Sequence, residues 1–296
     1  MKTSTTLKPR KYQYFLYLGP GVLLYIFAVI IPILWALRYS FYNWSGGAKM
    51  DFVGLGNYIE ICKDPLFWKS LSNNLIVVAI CLIGQVGIAI IVATLLSSKY
   101  IKGRQFHRSV VFFPTVLSAI VVGFIWVIMY NNDYGLLNWF LNAIGLKSLI
   151  YPWLDDPKKV IYSISYPLIW QYIGYYAIIL LAGMSNIGSE VLESCEIDGA
   201  VGWRKLVYII YPLLKPTIAI CAMMSIAGNM KIFDNIMAMT NGGPGSSSTV
   251  LAIYAYKQSF TFFRFGYGSA VSIVMLLVSV VIVSITKFST RGENND

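Results

Sequence analysis

Charge is what this sequence has least of. Only 12% of its 296 residues are Asp, Glu, Lys or Arg, half the roughly 25% of an ordinary soluble domain. Hydrophobic residues make up 57% and the mean hydropathy is +0.65, which excludes a soluble enzyme domain and a disordered or fibrous chain. Histidine is almost missing: His107 stands alone, which removes a histidine-centred catalytic triad or a zinc site. Cys62, Cys81, Cys195 and Cys221 lie far apart and form no disulfide framework or metal pattern. No Gly-x4-Gly-Lys-Ser/Thr phosphate loop occurs, so any ATP the system uses is bound by another subunit. Internal repeats are not evident, which leaves an inverted-repeat carrier unsupported. The net charge of +10 reads as Lys and Arg collected in cytoplasmic loops of a membrane protein, not as a nucleic-acid surface.

What remains is an all-α integral membrane protein. Charge-free stretches run over 12–37, 70–98, 109–132, 160–189, 216–230, 235–256 and 265–286. A spanning helix needs about 20 mostly apolar residues. The stretch 235–256 carries turn chemistry from Asn241 to Ser248 in its middle, which argues against a span there. The short stretch 216–230 extends if Lys215 snorkels and Lys231 and Asp234 are accommodated at its other end. Six transmembrane helices follow, at about 13–38, 72–97, 108–130, 160–185, 207–233 and 265–287.

With both tails inside, the cytoplasmic side takes Lys2, Lys8, Arg10, Lys11, Lys99, Lys102, Arg104, Arg108, Arg204, Lys205, Lys215, Lys287 and Arg291, thirteen in all. Eight fall outside: Lys49, Lys63, Lys69, Lys147, Lys158, Lys159, Lys257 and Arg264. That bias puts both termini in the cytoplasm. The first apolar run is longer than a signal-peptide core and no small-residue cleavage site follows, so it reads as an uncleaved anchor. The organisation is a tail at 1–11, a first helix and outer loop at 12–69, a transmembrane domain at 70–288 and a tail at 289–296.

The loop between helices four and five holds Glu190, Glu193, Glu196 and Asp198, with an apolar stripe of Val191, Cys195, Ile197 and Val201, the pattern of a short amphipathic helix. It continues through Gly199, Ala200, Trp203, Arg204 and Lys205 to Ile209, Tyr211 and Pro212. This loop resembles the cytoplasmic signature of the permease subunits of ABC importers, E-A-A-x3-G-x9-I-x-L-P. Glu193 matches the acid, Gly199 the glycine, Ile209 the isoleucine and Pro212 the proline; Ser194 and Cys195 replace the alanines and Tyr211 the leucine. The Asp198-Gly199-Ala200 triplet with Trp203 is similar to the carbohydrate-importing, maltose-type branch. So are Phe52 to Tyr58 followed by Asp64 to Trp68, Gly103-Arg104 through Pro114, Tyr134 to Asn138, Thr240 to Pro244 and Phe263 to Gly268. The likeness covers about residues 12–288.

The resemblance implies a subunit with no catalytic residues and no cofactor of its own. A second homologous permease completes the pathway, two ABC ATPase subunits bind ATP and Mg beneath it, and an extracytoplasmic solute-binding protein delivers a sugar. It also implies that the loop is a coupling helix, with Glu193, Ser194, Cys195, Asp198, Gly199, Ala200 and Pro212 meeting the ATPase. Glu193 is suited to a charge-assisted contact, Gly199 to a close approach or a helix-ending turn, and Pro212 to the entry of helix five.

Along helix five, Asn229, Lys231, Asp234 and Asn235 break the apolar pattern, with Phe233 among them. Lys231 lies 16 residues past Lys215, about 24 Å along a helix, in its outer half. A charged residue facing lipid at a helix centre costs roughly 2.5–3.5 kcal/mol, so Lys231 and Asp234, on neighbouring helix faces, turn to a partner or a watery cavity. Two readings stand: an ion pair that locks the helix, or a cavity wall that hydrogen-bonds sugar hydroxyls with Phe233 as a stacking face. Trp126, Tyr130, Trp170, Tyr172, Tyr175 and Tyr176 are divided between interfacial belts and the same path, and Gly266, Tyr267 and Gly268 suit close helix packing.

Overall fold

A computed structural model describes residues 11–98, 101–200 and 202–291; the outer parts of both expected tails, Lys99 and Val201 lie outside them. Helix dominates. Among the described residues five helices are long and apolar enough to cross a membrane: α1 (Leu16–Tyr39), α3 (Pro65–Ser97), α7 (Val160–Ser185), α9 (Trp203–Met230) and α12 (Phe265–Arg291). Shorter helices are α2 (Gly56–Lys63), α4 (Arg104–Val116), α5 (Ala119–Met129), α6 (Leu136–Ala143), α8 (Ser189–Ile197), α10 (Asp234–Thr240) and α11 (Leu251–Tyr256).

Two compact units form. The first joins the described residues up to Cys62 with Ala255–Ile273; the second joins Lys63–Tyr254 with the described residues from Val274 on. The first contains the one departure from an all-α chain among the described residues, a hairpin of β1 (Tyr42–Trp44) and β2 (Met50–Phe52) in the register Tyr42↔Phe52. Alternating aromatics around a glycine turn favour a strand pair here, with Gly46 at φ +91° and Tyr42 edge-on to Phe52. Asn57 donates to Ser40 O and Tyr42 O at 2.8 and 2.9 Å. Gly266 packs on the backbone of Tyr42, where a Cβ would overlap the carbonyl oxygen. That is close packing, against a strand rather than a helix.

In the second unit, α3 starts where Asp64 caps Leu66 N at 2.8 Å and Pro65 takes the first helical position, a place where its missing N–H is harmless. Asp64 also accepts from the Tyr254 hydroxyl. A core of Val77, Cys81, Ile164, Leu168, Ile236 and Ile253 joins α3, α7, α10 and α11. A second, with Ala89, Ala93, Ala177, Leu180 and Cys221, joins α3, α7 and α9. Two π turns, Ile26–Ile30 in α1 and Leu206–Ile210 in α9, each hold the residue four before a proline, Pro32 and Pro212. The widened ladder gives room for the clash between a proline ring and that carbonyl.

Two expected helices are interrupted. The expected helix at 108–130 is two, α4 and α5, bent by 97° at Leu117 and Ser118. Both corner residues are extended, with ψ of 142° and 139°. The expected helix at 207–233 ends at Met230, and after Lys231, Ile232 and Phe233 the new helix α10 begins at Asp234. Asn74 from α3 donates to the carbonyl of Asn229, in the last turn of α9, at 3.1 Å, and an acid in the first turn of α10 favours its start. Lys231 therefore lies in the break and Asp234 on α10, not on neighbouring faces of one helix.

Candidate functional site

The interruptions surround a cavity of about 490 Å³. Its wall includes Asn229, Lys231, Phe233, Asp234 and Asn235, all five residues singled out along helix five, together with Gln85, Ala119, Tyr172, Tyr175, Tyr176, Met224, Gly228 and Ile232. Unwound backbone after Met230 lets five nearly consecutive residues reach one space, which a continuous helix would spread around its circumference.

Lys231 and Asp234 are exposed and no ion pair joins them, so the locking pair is not formed. Tyr172, Tyr175 and Tyr176 line the cavity. Trp126, Tyr130 and Trp170 instead contact one another or Trp153: Trp126 lies 5.1 Å from Tyr130 and 6.0 Å from Trp170 by ring centroid, and Tyr130 stacks on Trp153.

Two glutamines hold the amides of the wall. Gln85 comes from a π turn in α3, Leu82–Gly87, a local widening often placed at functional sites. Its Nε2 donates to Leu168 O at 3.0 Å, and its Oε1 accepts from Ser225 Oγ at 2.8 Å and Asn229 Nδ2 at 3.1 Å. Asn229 Nδ2 also donates to Ser225 O at 2.8 Å. Gln171, from α7, donates through Nε2 to Leu117 O and accepts on Oε1 from Asn235 Nδ2, both at 3.1 Å. Asn235 Nδ2 reaches Ala119 O at 3.2 Å as well, so side chains satisfy carbonyls of the bent backbone, as a membrane interior requires. Both glutamines are 1% exposed. Sequence reasoning passed over them. The signal was a lone amide in an otherwise apolar run, flanked by Gly84 and Gly87 for Gln85.

The other expected site lies along α8 and its exit. Ser194 Oγ donates to Glu190 O at 2.6 Å, a bond that spends the hydroxyl locally. Ala200 N bonds Cys195 O at 2.9 Å across Gly199, whose φ is +78°; this six-to-one closure is the Schellman ending of a helix. Glu193, Asp198, Gly199 and Pro212 are exposed, Cys195 and Ala200 half-buried. Apolar side chains follow without cover: Ile197, Trp203 and Tyr208 are 86%, 74% and 73% exposed.

Relatives of the chain match nearly end to end. A probable ABC transporter permease protein of Pyrococcus horikoshii is 37% identical over 94% of this chain and 96% of its own length. The multiple sugar-binding transport system permease protein MsmF of Streptococcus mutans is 31% identical over 96% and 97%. The lactose transport system permease protein LacF of Rhizobium radiobacter is 30% identical over 94% and 93%. The fold is that of a chain in the crystal structure of a bacterial ABC transporter involved in the import of the acidic polysaccharide alginate, with a TM-score of 0.83, 22% identity and coverage of 95% and 96%. The family model for the inner membrane component of binding-protein-dependent transport systems matches residues 85–293, and the chain is a multi-pass membrane protein that belongs to this family of ABC transporter permeases.

Proposed function

We propose that this chain is the membrane-spanning permease subunit of an ATP-driven, binding-protein-dependent importer that moves a sugar or oligosaccharide across the cytoplasmic membrane. One observation carries the reading: an amide-, ion- and tyrosine-lined cavity at two broken helices within an otherwise apolar chain. Counting the bent α4–α5 pair as one span gives six transmembrane helices, and the bias of Lys and Arg puts both termini in the cytoplasm. The helix α8 is the coupling helix. It presents Glu193, Asp198 and exposed Ile197 and Trp203 to one of two ATPase subunits, which bind ATP and Mg. A second permease completes the path, and an extracytoplasmic solute-binding protein supplies the cargo. Nucleotide states of the partners supply the bias between inward and outward forms.

Affinity purification from native membranes in mild detergent, with partners counted by mass spectrometry, tests the assembly. Two ATPase copies and a second six-helix permease are expected. Recovery of this chain alone, with uptake that survives ATP depletion and collapses with the ion gradient, overturns it in favour of an ion-coupled carrier.

A further inference from the structure

We infer that Gln85 and Gln171 are positioning residues that turn Asn229 and Asn235 so that only their carboxamide oxygens remain for a ligand. Resting on the sugar-import reading above, this makes the cavity a selector for neutral, hydroxyl-rich glycans over acidic ones.

The orientation follows from a chain of obligatory donors and acceptors. Leu168 O accepts from one end of Gln85, and a backbone carbonyl cannot donate, so that end is the NH2. The opposite end is then the oxygen, and Asn229 must meet it with its own NH2 at 3.1 Å. The second Asn229 donor goes to Ser225 O. Both its donors are spent, and what is left is an acceptor. The second relay repeats the logic from a different element: Leu117 O orients Gln171, whose oxygen takes one donor of Asn235 while Ala119 O takes the other. Asn235 is 1% exposed, and its Oδ1 is buried without a partner, an arrangement that is costly until a hydroxyl reaches it. Reversing either amide would set oxygen against oxygen.

The wall therefore offers the Asn229 amide oxygen and the Asp234 carboxylate as acceptors, with the covered Asn235 oxygen behind them, against the single cation Lys231; the tyrosine hydroxyls can serve either way. Acceptors select ligands that donate. Every sugar hydroxyl donates; a uronate exchanges one hydroxymethyl donor for a carboxylate that only accepts, with Lys231 the one cation of the wall to receive it and Asp234 to repel it.

Equilibrium dialysis against the detergent-purified complex, without binding protein, reads the cavity directly. The probes are lactose, maltose and diacetylchitobiose on one side and a trisaccharide of alginate uronates on the other. The complex is expected to bind at least one neutral probe about tenfold tighter than the uronate, the weight of one good hydrogen bond. Gln85→Met frees Asn229 to rotate and should narrow that ratio to near one, while Gln85→Glu restores it, because a protonated carboxyl donates to Leu168 O and accepts from Asn229 as the amide does. A structural defect alone would weaken both probe classes together. Should Gln85→Met fail to assemble, monofluorinated forms of the bound neutral sugar test the wild type: fluorine accepts but does not donate, and one position should lose about tenfold. Uronate binding as tight as neutral binding, equal loss of both classes in Gln85→Met, or indifference to every fluorine overturns the inference and leaves the import reading standing. A complex that binds no carbohydrate overturns both.

Discussion

Gln171 Oε1 accepts from Asn235 Nδ2 at 3.1 Å, joining the middle of α7 to the start of α10. Through their remaining donors the two residues also hold Leu117 O and Ala119 O, so one amide pair closes the corner where the chain turns by 97° between α4 and α5. Replacing Gln171 with Leu leaves a corner carbonyl and an Asn235 donor unpaired. Each stranded group costs about 1–3 kcal/mol. The purified subunit should melt several degrees lower by tryptophan fluorescence, and Gln171→Glu should recover most of the loss. Equal melting of Gln171→Leu and the wild type would mean the corner is held by something else.

The approach of α4 to α7 depends on Gly174, where a Cβ would overlap the backbone carbonyl of Val111. Backbone cannot step aside as a flexible side chain can. Gly174→Ala is expected to destabilise by about 1–3 kcal/mol, the ordinary cost of overpacking, read as a lower melting temperature and reduced yield in membranes.

Gly199 offers a test of docking that separates chain from partner. Its φ is +78° and no atom lies within 4 Å of a Cβ built there, so Ala and Leu should cost the isolated subunit the same, about 1–2 kcal/mol of left-handed strain. In the assembled transporter a partner surface at this point should separate them, with Leu abolishing substrate-stimulated ATP hydrolysis and Ala or Asn retaining most of it. Equal hydrolysis in the Ala and Leu complexes removes Gly199 from the contact.

Arg264 grips Glu60 with two bonds of 2.6 and 2.7 Å and lies 4.4 Å over the Tyr267 ring. Both ionic side chains are nearly half exposed, and solvent screens them, so Arg264→Lys should cost less than about 1 kcal/mol. The loss should shrink further at high salt. A large, salt-independent loss would show that the stacking on Tyr267 outweighs the ion pair.

Much of this protein was legible from its sequence alone. Length and apolarity of a run are properties of the run itself, so the span Val160–Ser185 coincides with the reading of 160–185, and the turn chemistry of Asn241 to Ser248 does separate α10 from α11. Of the two roles left open for Gly199, a close approach or a helix-ending turn, its φ of +78° at the end of α8 fits the second. Four of the five cavity residues of helix five, Phe233 apart, stood out because charge and amide groups in an apolar stretch are expensive unless they face something polar. Only the tertiary structure decided that the helices around them would break. A break at Leu117 leaves a backbone carbonyl that Gln171 must pair, and at Met230 the local turn that Lys231 N and Ile232 N make onto Asn229 O is backed by a donor from another helix. Those donors come from Gln171 and Asn74, and the Asn229 amide is turned by Gln85, 144 residues away. Side-chain amides supply hydrogen bonds only to whatever the fold brings within 3 Å, and that neighbourhood is written in no single stretch of the chain.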